Sequence, residues 1–199
     1  MEIDLRGVRI IKGALGLAAQ EALLEDVRAI ARAAPMVQPT TPGGRKMSVR
    51  MTAAGAFGWV SDASGYRYAE RHPEGHAWPP IPPALLALWN AYCPSARAPE
   101  CCLINFYGEG ARMGLHQDCD EADFTQPVLS VSLGDDGMFR VGSVTKGGKT
   151  ASHWMQSGDI AVLGGEARLV HHGVDRIRFG SSRLLPKGGR INVTMRVVT

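Results

Sequence analysis

The chain has 199 residues, of which 45% are hydrophobic, and its 22 basic and 19 acidic residues leave a net charge of +3. This length predicts one domain, residues 1–199, with one substantial core, and the small charge excludes neither a nucleic-acid partner nor a neutral one. No apolar run is long enough to span a bilayer and the N-terminus lacks a signal-peptide pattern, so we expect a cytoplasmic protein with no membrane partner. Its four cysteines lack CxxC spacing, which favours reduced thiols.

The first 35 residues predict a strand followed by a helix. Residues 3–12 alternate apolar and polar side chains, which is typical of one short strand. Between residues 17 and 34 the apolar positions recur at steps of three and four, so one stripe of the helix should face a core. Pro35 should end this helix.

Residues 36–80 are rich in proline and glycine and contain short β-like pieces, such as 47–52 and 65–68. Basic residues here alternate with aromatic ones: Arg45, Lys46, Arg50, Trp59, Tyr66, Tyr68 and Trp78. The rings could form a small core under long loops. The same combination also suits phosphate contact with base stacking, and the two interpretations have nearly equal weight.

A second helix is predicted from Pro82 or Pro83 to about Tyr92 within residues 81–99, with Pro94 ending it. After Glu100 the pattern changes to short strands separated by glycine-rich turns. The predicted strands are 102–107, 128–133, 138–141, 150–155, 159–163 and 190–198. Such spacing without intervening helices predicts a sandwich or a double-sheet jelly roll over residues 100–199.

His116 and Asp118 are two residues apart, so in an extended segment their side chains would point the same way. A third imidazole is available from the pair His171-His172. Two histidines and one carboxylate form the facial arrangement that leaves open positions on Fe(II). Alone, however, a His-x-Asp is a weak signal, because two polar residues on an exposed strand are more common.

The last predicted strand places Arg190, Asn192, Thr194 and Arg196 on one face and apolar residues on the other. If the polar face points outward, it is an ordinary solvated surface. If it points inward, two buried guanidiniums need anions, and a dicarboxylate would satisfy both. Asn105 and Tyr107 share a face of their own strand and could add further bonds. A metal triad with such a pocket describes a 2-oxoglutarate-dependent oxygenase.

Seven segments together make the chain resemble the AlkB dioxygenases from about Pro42 onward. They are residues 47–52, 102–107, 115–121, 131–134, 164–166, 172–173 and 190–196. The resemblance implies an α+β, mainly β fold: a double-stranded β-helix with supporting helices and a nucleotide-recognition lid at residues 36–80.

The resemblance also implies the site residues. Fe(II) would be held by His116, Asp118 and His172, and 2-oxoglutarate would lie among Asn105, Tyr107, Arg190, Asn192 and Arg196. The expected substrate contacts are Met51, Trp59, Tyr66, Arg67, Tyr68, Asp120 and Lys146. Arg190 is expected at the distal carboxylate and Arg196 at the metal end, while Trp59 and an imidazole, His172, would enclose the base.

The implied reaction uses O2 and 2-oxoglutarate to hydroxylate an N-methyl group of 1-methyladenine or 3-methylcytosine, which then loses formaldehyde. The implied partner is methylated DNA with a single-stranded or flipped base, or alternatively RNA, bound by a monomer. The chain departs from the family pattern in three ways, namely His171, Phe106 and a shortened segment after Leu184. Other hypotheses are an oxygenase acting on tRNA, a protein side chain or a metabolite, and a non-catalytic jelly-roll binding module.

Overall fold

The computed structural model describes residues 1–199, which form two α-helices and thirteen β-strands. In chain order these are β1 Glu2–Leu5, β2 Val8–Ile11, α1 Leu17–Ala33, β3 Val49–Gly55, β4 Gly58–Asp62, β5 Gly65–Ala69, α2 Pro83–Tyr92, β6 Cys101–Tyr107, β7 Met113–His116, β8 Val128–Gly134, β9 Asp136–Val141, β10 Ala151–Met155, β11 Ile160–Leu163, β12 His172–Arg178 and β13 Arg190–Arg196. A single 3₁₀ turn, Gly165–Ala167, lies between β11 and β12.

The strands from β6 to β13 divide between two antiparallel sheets. The larger sheet has the order β1-β2-β11-β8-β13-β6-β3, and the smaller has the order β10-β9-β12-β7. Eight strands that divide four and four between two sheets in this order form a double-stranded β-helix, or jelly roll. The predicted fold is therefore confirmed, and the strand-rich region begins at Cys101, close to the expected residue 100.

The two helices cover the outer face of the larger sheet. Leu24 of α1 and Trp89 of α2 belong to the same buried cluster as Val193 and Met195 of β13. Because side chains alternate along a strand, the other face of β13 must point toward the smaller sheet. This decides the question that the sequence left open: the polar face of β13, with Arg190 and Arg196, points inward.

Both predicted helices are present and close to their predicted bounds. The buried positions of α1 follow steps of three and four residues: Leu23, Leu24, Val27 and Ile30. The helix ends before Pro35, whose ring cannot continue it. Pro83 is the first residue of α2, where the missing amide hydrogen costs nothing.

The strand predicted over residues 3–12 is wrong in detail, because the structure has two strands joined by the turn Arg6-Gly7. The Asp4 carboxylate accepts a hydrogen bond of 2.9 Å from the Gly7 amide and closes that turn. The alternation of apolar and polar residues continues through this two-residue turn, so the sequence pattern cannot reveal where the first strand ends. The predicted strands also omitted β4, β7 and β12.

The segment 36–80, predicted as a lid, contributes to two different structures. Its strand β3 pairs with β6 along its whole length and is part of the larger sheet. Strands β4 and β5 instead pair with each other as a separate two-stranded hairpin, residues 58–69, which we call the recognition hairpin. The boundaries at residues 35, 80 and 99 stay predictions.

The helices and the cysteines bear on two expectations from composition, a chain without membrane spans and reduced thiols. Neither helix has the length and apolar character needed to cross a membrane. All four cysteines are free, and three of them, Cys93, Cys101 and Cys102, are buried.

The packing of α1 predicts a contrast between two leucines of the same helix. Leu23 is 3% exposed and Leu17 is 64% exposed. Leu23→Ala should lower the free energy of unfolding by about 2–5 kcal/mol, because it leaves a cavity under the larger sheet. Leu17→Ala is the control and should change it by less than about 0.5 kcal/mol. Denaturant unfolding followed by circular dichroism measures both, and equal effects would contradict the burial of Leu23 against the larger sheet.

Candidate active site

Three potential metal ligands meet where β7 and β12 lie side by side. His116 is the last residue of β7, Asp118 follows it, and His172 opens β12 directly opposite His116. Their ligand atoms all lie within 4.8 Å of one another. Each histidine Nε2 is 3.7 Å from an oxygen of the Asp118 carboxylate. Two strands and the loop after β7 therefore assemble a 2-His-1-carboxylate group.

Hydrogen bonds orient both imidazoles for metal binding. His116 Nδ1 is 2.9 Å from the Gly114 carbonyl oxygen, and His172 Nδ1 is 3.0 Å from the Val170 carbonyl oxygen. Because a carbonyl oxygen only accepts, each Nδ1 carries the hydrogen and each Nε2 keeps its lone pair. That lone pair points toward Asp118, and this is the usual arrangement of metal-binding histidines.

His171 does not join this group. Consecutive residues of an extended chain point to opposite sides, and the His171 ring turns away, with Nδ1 2.9 Å from the Ser143 carbonyl oxygen. The structure thus brings His172, and not His171, to His116 and Asp118.

Asp118 is a buried carboxylate that the positive charge of Arg196 keeps ionised. Burial by itself would raise the pKa of Asp118, but Arg196, His172 and His116 outweigh it and hold that pKa well below its usual range. Arg196 donates from Nη2 and Nε to Asp118 Oδ2, at 2.9 and 3.2 Å. Burial also lowers the pKa of His172 to about 4, against the opposing pull of Asp118. The group therefore combines a carboxylate anion with a neutral His172 imidazole.

Glu121 is a central residue of the site that the sequence reasoning missed. The residue is 5% exposed, and its carboxylate lies 3.1 Å from Arg168 Nη2 and 3.3 Å from Arg196 Nε. The Tyr68 hydroxyl of the recognition hairpin donates to it at 2.5 Å. Glu121 thus links the hairpin to the guanidinium that holds Asp118. In the sequence it follows Asp118 and Asp120 and cannot be told from a solvated acid.

A cavity of about 370 Å³ lies between the two sheets, under the recognition hairpin. The inward face of β13 lines it with Arg190, Asn192, Thr194 and Arg196, and β6 adds Asn105 and Tyr107. Every residue expected around 2-oxoglutarate therefore lies on the wall of one cavity, together with the His116, Asp118 and His172 group.

Arg190 is fixed at the end of the cavity away from Asp118. It is 2% exposed, and its Nη2 donates to Ser132 Oγ at 2.7 Å. The guanidinium crosses Gly137, where a Cβ would come within 2.7 Å of Arg190 Nε, so a larger residue would displace it. Burial lowers the pKa of Arg190, and burial raises the pKa of Tyr107 to about 12.

Several buried polar atoms of the cavity have no hydrogen-bond partner within the chain. They are Asn105 Oδ1, Arg190 Nε and Arg196 Nη1. Buried polar groups are normally satisfied, so orphan donors on two arginines indicate a polar, anionic ligand between them. Asn192 is different, because its Oδ1 accepts from Ser130 and its Nδ2 donates to Thr194, each at 2.9 Å. The wall fits a dicarboxylate, and the His-Asp-His group fits Fe(II).

The outer end of the cavity is aromatic and acidic. Trp59 and Tyr66 stack with their ring centroids 5.4 Å apart, and the Trp59 indole donates to Asp120 Oδ2 at 2.8 Å. Met51 and Tyr68 also line the cavity. In this structure Trp59 stacks on Tyr66, so its pairing with His172 around a base stays a prediction.

Two of the expected substrate contacts lie away from the cavity wall. Arg67 is on the opposite face of β5 from Tyr66 and Tyr68, and it forms two bonds to the Asp62 carboxylate, at 3.0 and 2.7 Å. Lys146 is exposed in the loop after β9. The structure does not place either one beside the base-sized space, so any contact they make would be with a more distant part of a substrate.

Comparison with known families agrees with this geometry. The family model of the 2OG-Fe(II) oxygenase superfamily matches residues 7–196, which include every site residue named above. The chain therefore belongs to the 2OG-Fe(II) oxygenase superfamily, and it is an Fe(II)- and 2-oxoglutarate-dependent dioxygenase that uses O2.

Within this superfamily the similarity is to the AlkB proteins. An "Alpha-ketoglutarate-dependent dioxygenase AlkB homolog" of Caulobacter vibrioides is 54% identical over 191 residues, covering 96% of this chain and 87% of that protein. The "DNA N(6)-methyladenine demethylase ALKBH1D" of Arabidopsis thaliana is 37% identical over 109 residues, 50% of this chain and 25% of that protein. The solved structure of OsALKBH1 superimposes with a TM-score of 0.82 at 28% identity, covering 99% of this chain and 100% of that one.

The arrangement of the two adjacent histidines predicts different effects of their removal. Fe(II) and 2-oxoglutarate added together should raise the melting temperature of the wild-type chain more than either alone, because each ligand strengthens the binding of the other to the folded chain. His172→Ala should lose this joint increase, and His171→Ala, the matched control, should keep most of it. A thermal-shift assay measures the effect, and loss in the His171 variant alone would overturn the proposed ligand set.

Proposed function

We propose that the protein repairs alkylated DNA by oxidative demethylation of N-methylated bases, with 1-methyladenine and 3-methylcytosine as substrates. The observation that carries the proposal is the arrangement of the cavity: a His-Asp-His group and two buried arginines lie inside, and a tryptophan hydrogen-bonded to an exposed carboxylate lies at its mouth. A planar, cationic ring is the substrate that such a mouth suits best.

His116, Asp118 and His172 would hold Fe(II), each through one atom, leaving positions open on the ion. When bound, Fe(II) with 2-oxoglutarate and O2 supplies the oxidation of the N-methyl group to an N-hydroxymethyl group, with succinate and CO2 as the other products. Arg196 would keep Asp118 ionised and correctly oriented, because its guanidinium spans the carboxylate and Glu121.

Arg190 would bind the carboxylate of 2-oxoglutarate that is distant from the iron. Its buried Nε has no partner in the chain, and Ser132 and Gly137 hold its guanidinium in one place. Tyr107 lies beside it with a pKa raised to about 12, so the phenol stays protonated and can donate. Arg196 Nη1 and Asn105 Oδ1 face the same cavity nearer the metal group.

The recognition hairpin would hold the base. The Trp59 ring offers a stacking surface, and Asp120 offers a negative charge close to it, which favours a base made cationic by methylation on its pairing edge. The base must leave the helical stack to reach this depth, so the substrate is single-stranded or flipped. Once the methyl group is hydroxylated, it leaves as formaldehyde and restores the unmodified base.

The role of Arg190 predicts a change in the requirement for 2-oxoglutarate. A charge-assisted bond is worth about 1.5–3 kcal/mol, so Arg190→Ala should raise the apparent KM for 2-oxoglutarate roughly 10- to 150-fold. Arg183→Ala, which removes an exposed arginine outside the cavity, should leave it unchanged. Circular dichroism checks that the variant folds, and a folded Arg190→Ala protein with the wild-type KM would refute the role.

The proposed function is tested by measuring formaldehyde and succinate in parallel, using DNA and RNA oligonucleotides that carry 1-methyladenine. Base stacking is worth about 1–3 kcal/mol, so Trp59→Ala should slow formaldehyde release roughly five- to hundredfold at subsaturating substrate. Succinate formed without substrate should stay near the wild-type rate. Trp154→Ala, a ring outside the cavity, is the control. No formaldehyde from the wild type on any methylated oligonucleotide would refute the proposal.

Asp120 should act through its charge. Asp120→Asn keeps an oxygen that can accept from the Trp59 indole but removes the negative charge. We expect this variant to lose several-fold more activity on cationic 1-methyladenine than on neutral N6-methyladenine, because only the former ring is attracted by an anion. The ratio of formaldehyde release from the two oligonucleotides measures this, and the loss should shrink at high salt. An unchanged ratio would contradict a charge effect.

A further inference from the structure

A second group of potential metal ligands lies in the turn that follows the recognition hairpin. Residues 71 and 77 pair as an isolated bridge, and between them the His72 amide donates to the His76 carbonyl oxygen at 2.9 Å. The Gly75 amide donates to the His72 carbonyl oxygen. Gly75 adopts φ +93°, a backbone angle that residues with a side chain rarely adopt. This closed turn, residues 72–76, holds its two histidines against each other.

His72 has the hydrogen-bond pattern of a histidine that binds metal through Nδ1. The residue is 2% exposed, and its Nε2 is 2.9 Å from the Pro35 carbonyl oxygen. Since that oxygen only accepts, Nε2 carries the hydrogen and Nδ1 keeps a lone pair. The Glu74 amide donates to this Nδ1 at 3.1 Å, so a metal ion bound to Nδ1 would replace that hydrogen bond. An imidazole whose other nitrogen donates to a backbone carbonyl is oriented and made more basic for a metal.

His76 supplies the second, independent observation. Its Nε2 is shielded from solvent and has no hydrogen-bond partner, while its ring stacks on His72 with the centroids 4.4 Å apart and an angle of 18° between the planes. Stacking in a small core explains the position of His72, whose nitrogens are both satisfied. It leaves the buried nitrogen of His76 unexplained, because such atoms are normally paired.

Glu74 completes the group. Its carboxylate Oε2 is 3.9 Å from His72 Nδ1, and one ligand atom from each of His72, Glu74 and His76 lies within 4.8 Å of the others. The Glu74 side chain is 63% exposed and so can adjust to an ion at little cost. Two imidazoles and a carboxylate, with water as a fourth ligand, match the preferences of Zn²⁺.

We propose that His72, Glu74 and His76 form a second metal site, which binds a divalent transition metal of the Zn²⁺ type. It shares no residue with the His116, Asp118 and His172 group and is absent from the wall of the active-site cavity. Its role is structural. The Trp78 ring packs edge-on against His72, with centroids 5.1 Å apart, and its indole donates to the Ala69 carbonyl oxygen at the end of β5. A metal here would fasten the base of the recognition hairpin to the end of α1, through Pro35.

The test counts zinc in the full-length chain after removal of metal with a chelator and dialysis against buffered Zn²⁺. The wild type should bind two equivalents. His116→Ala combined with His172→Ala removes the active-site imidazoles and should leave one equivalent. Adding His76→Gln to this double variant should remove that last equivalent. Adding Glu74→Gln instead should weaken its binding at least about tenfold, as loss of a ligand requires.

The matched control is His153→Gln in the same double variant. His153 also has a buried, unpartnered Nε2, but it belongs to no group of potential ligands, so this variant should keep one equivalent. Circular dichroism in chelator checks that His76→Gln folds like the double variant. The proposal is overturned if the double variant binds no zinc, or if zinc remains bound at full affinity when His76 is replaced.

Discussion

The buried ion pair between Asp118 and Arg196 is the interaction on which the rest of the site depends. A carboxylate with so little access to water would ordinarily take up a proton, and a protonated Asp118 would be a poor ligand for a metal ion. Arg196 reverses this by donating two hydrogen bonds to one oxygen of Asp118. Arg196 is equally buried, so removing either partner would leave an uncompensated charge inside the jelly roll. Replacing either residue should therefore destabilise the site as much as replacing the other.

Glu121 extends this pair into a network that joins the rigid and the substrate-facing parts of the molecule. It neutralises Arg168 and shares Arg196 with Asp118, while the Tyr68 hydroxyl ties the recognition hairpin to it. The His-Asp-His group and the polar cavity wall proposed for 2-oxoglutarate lie mainly on the paired strands of the two sheets, whereas Trp59 and Tyr66 lie on a hairpin of two strands. Oxygen chemistry needs fixed geometry, and a separate hairpin allows the mouth of the cavity to be shaped for a substrate without disturbing it.

The aromatic residues of segment 36–80 divide between a small core and the wall of the cavity. Trp78 is 8% exposed and packs with Ala34 and Ala53 as a small core, as the structural interpretation expected. Trp59 and Tyr66 instead line the cavity, and their contact with a base stays a prediction. Alternation along β5 then separates Tyr66 and Tyr68 from Arg67, which pairs with Asp62 on the other face. Arg67, which was expected to contact the substrate together with these rings, is thus directed away from them.

The sequence by itself determined the helices, most strands of the jelly roll, the family, the His-Asp-His group and the polar residues of β6 and β13 that line the cavity, because local periodicity and short motifs are written in consecutive positions. It could not decide whether the polar face of β13 points inward, since alternation defines two faces but not which one meets the second sheet. Nor could it distinguish buried Glu121 from a surface acid, or show that His72 and His76 meet with a nitrogen left unpaired. Burial and pairing depend on which distant segments pack together, so only the tertiary structure decided them.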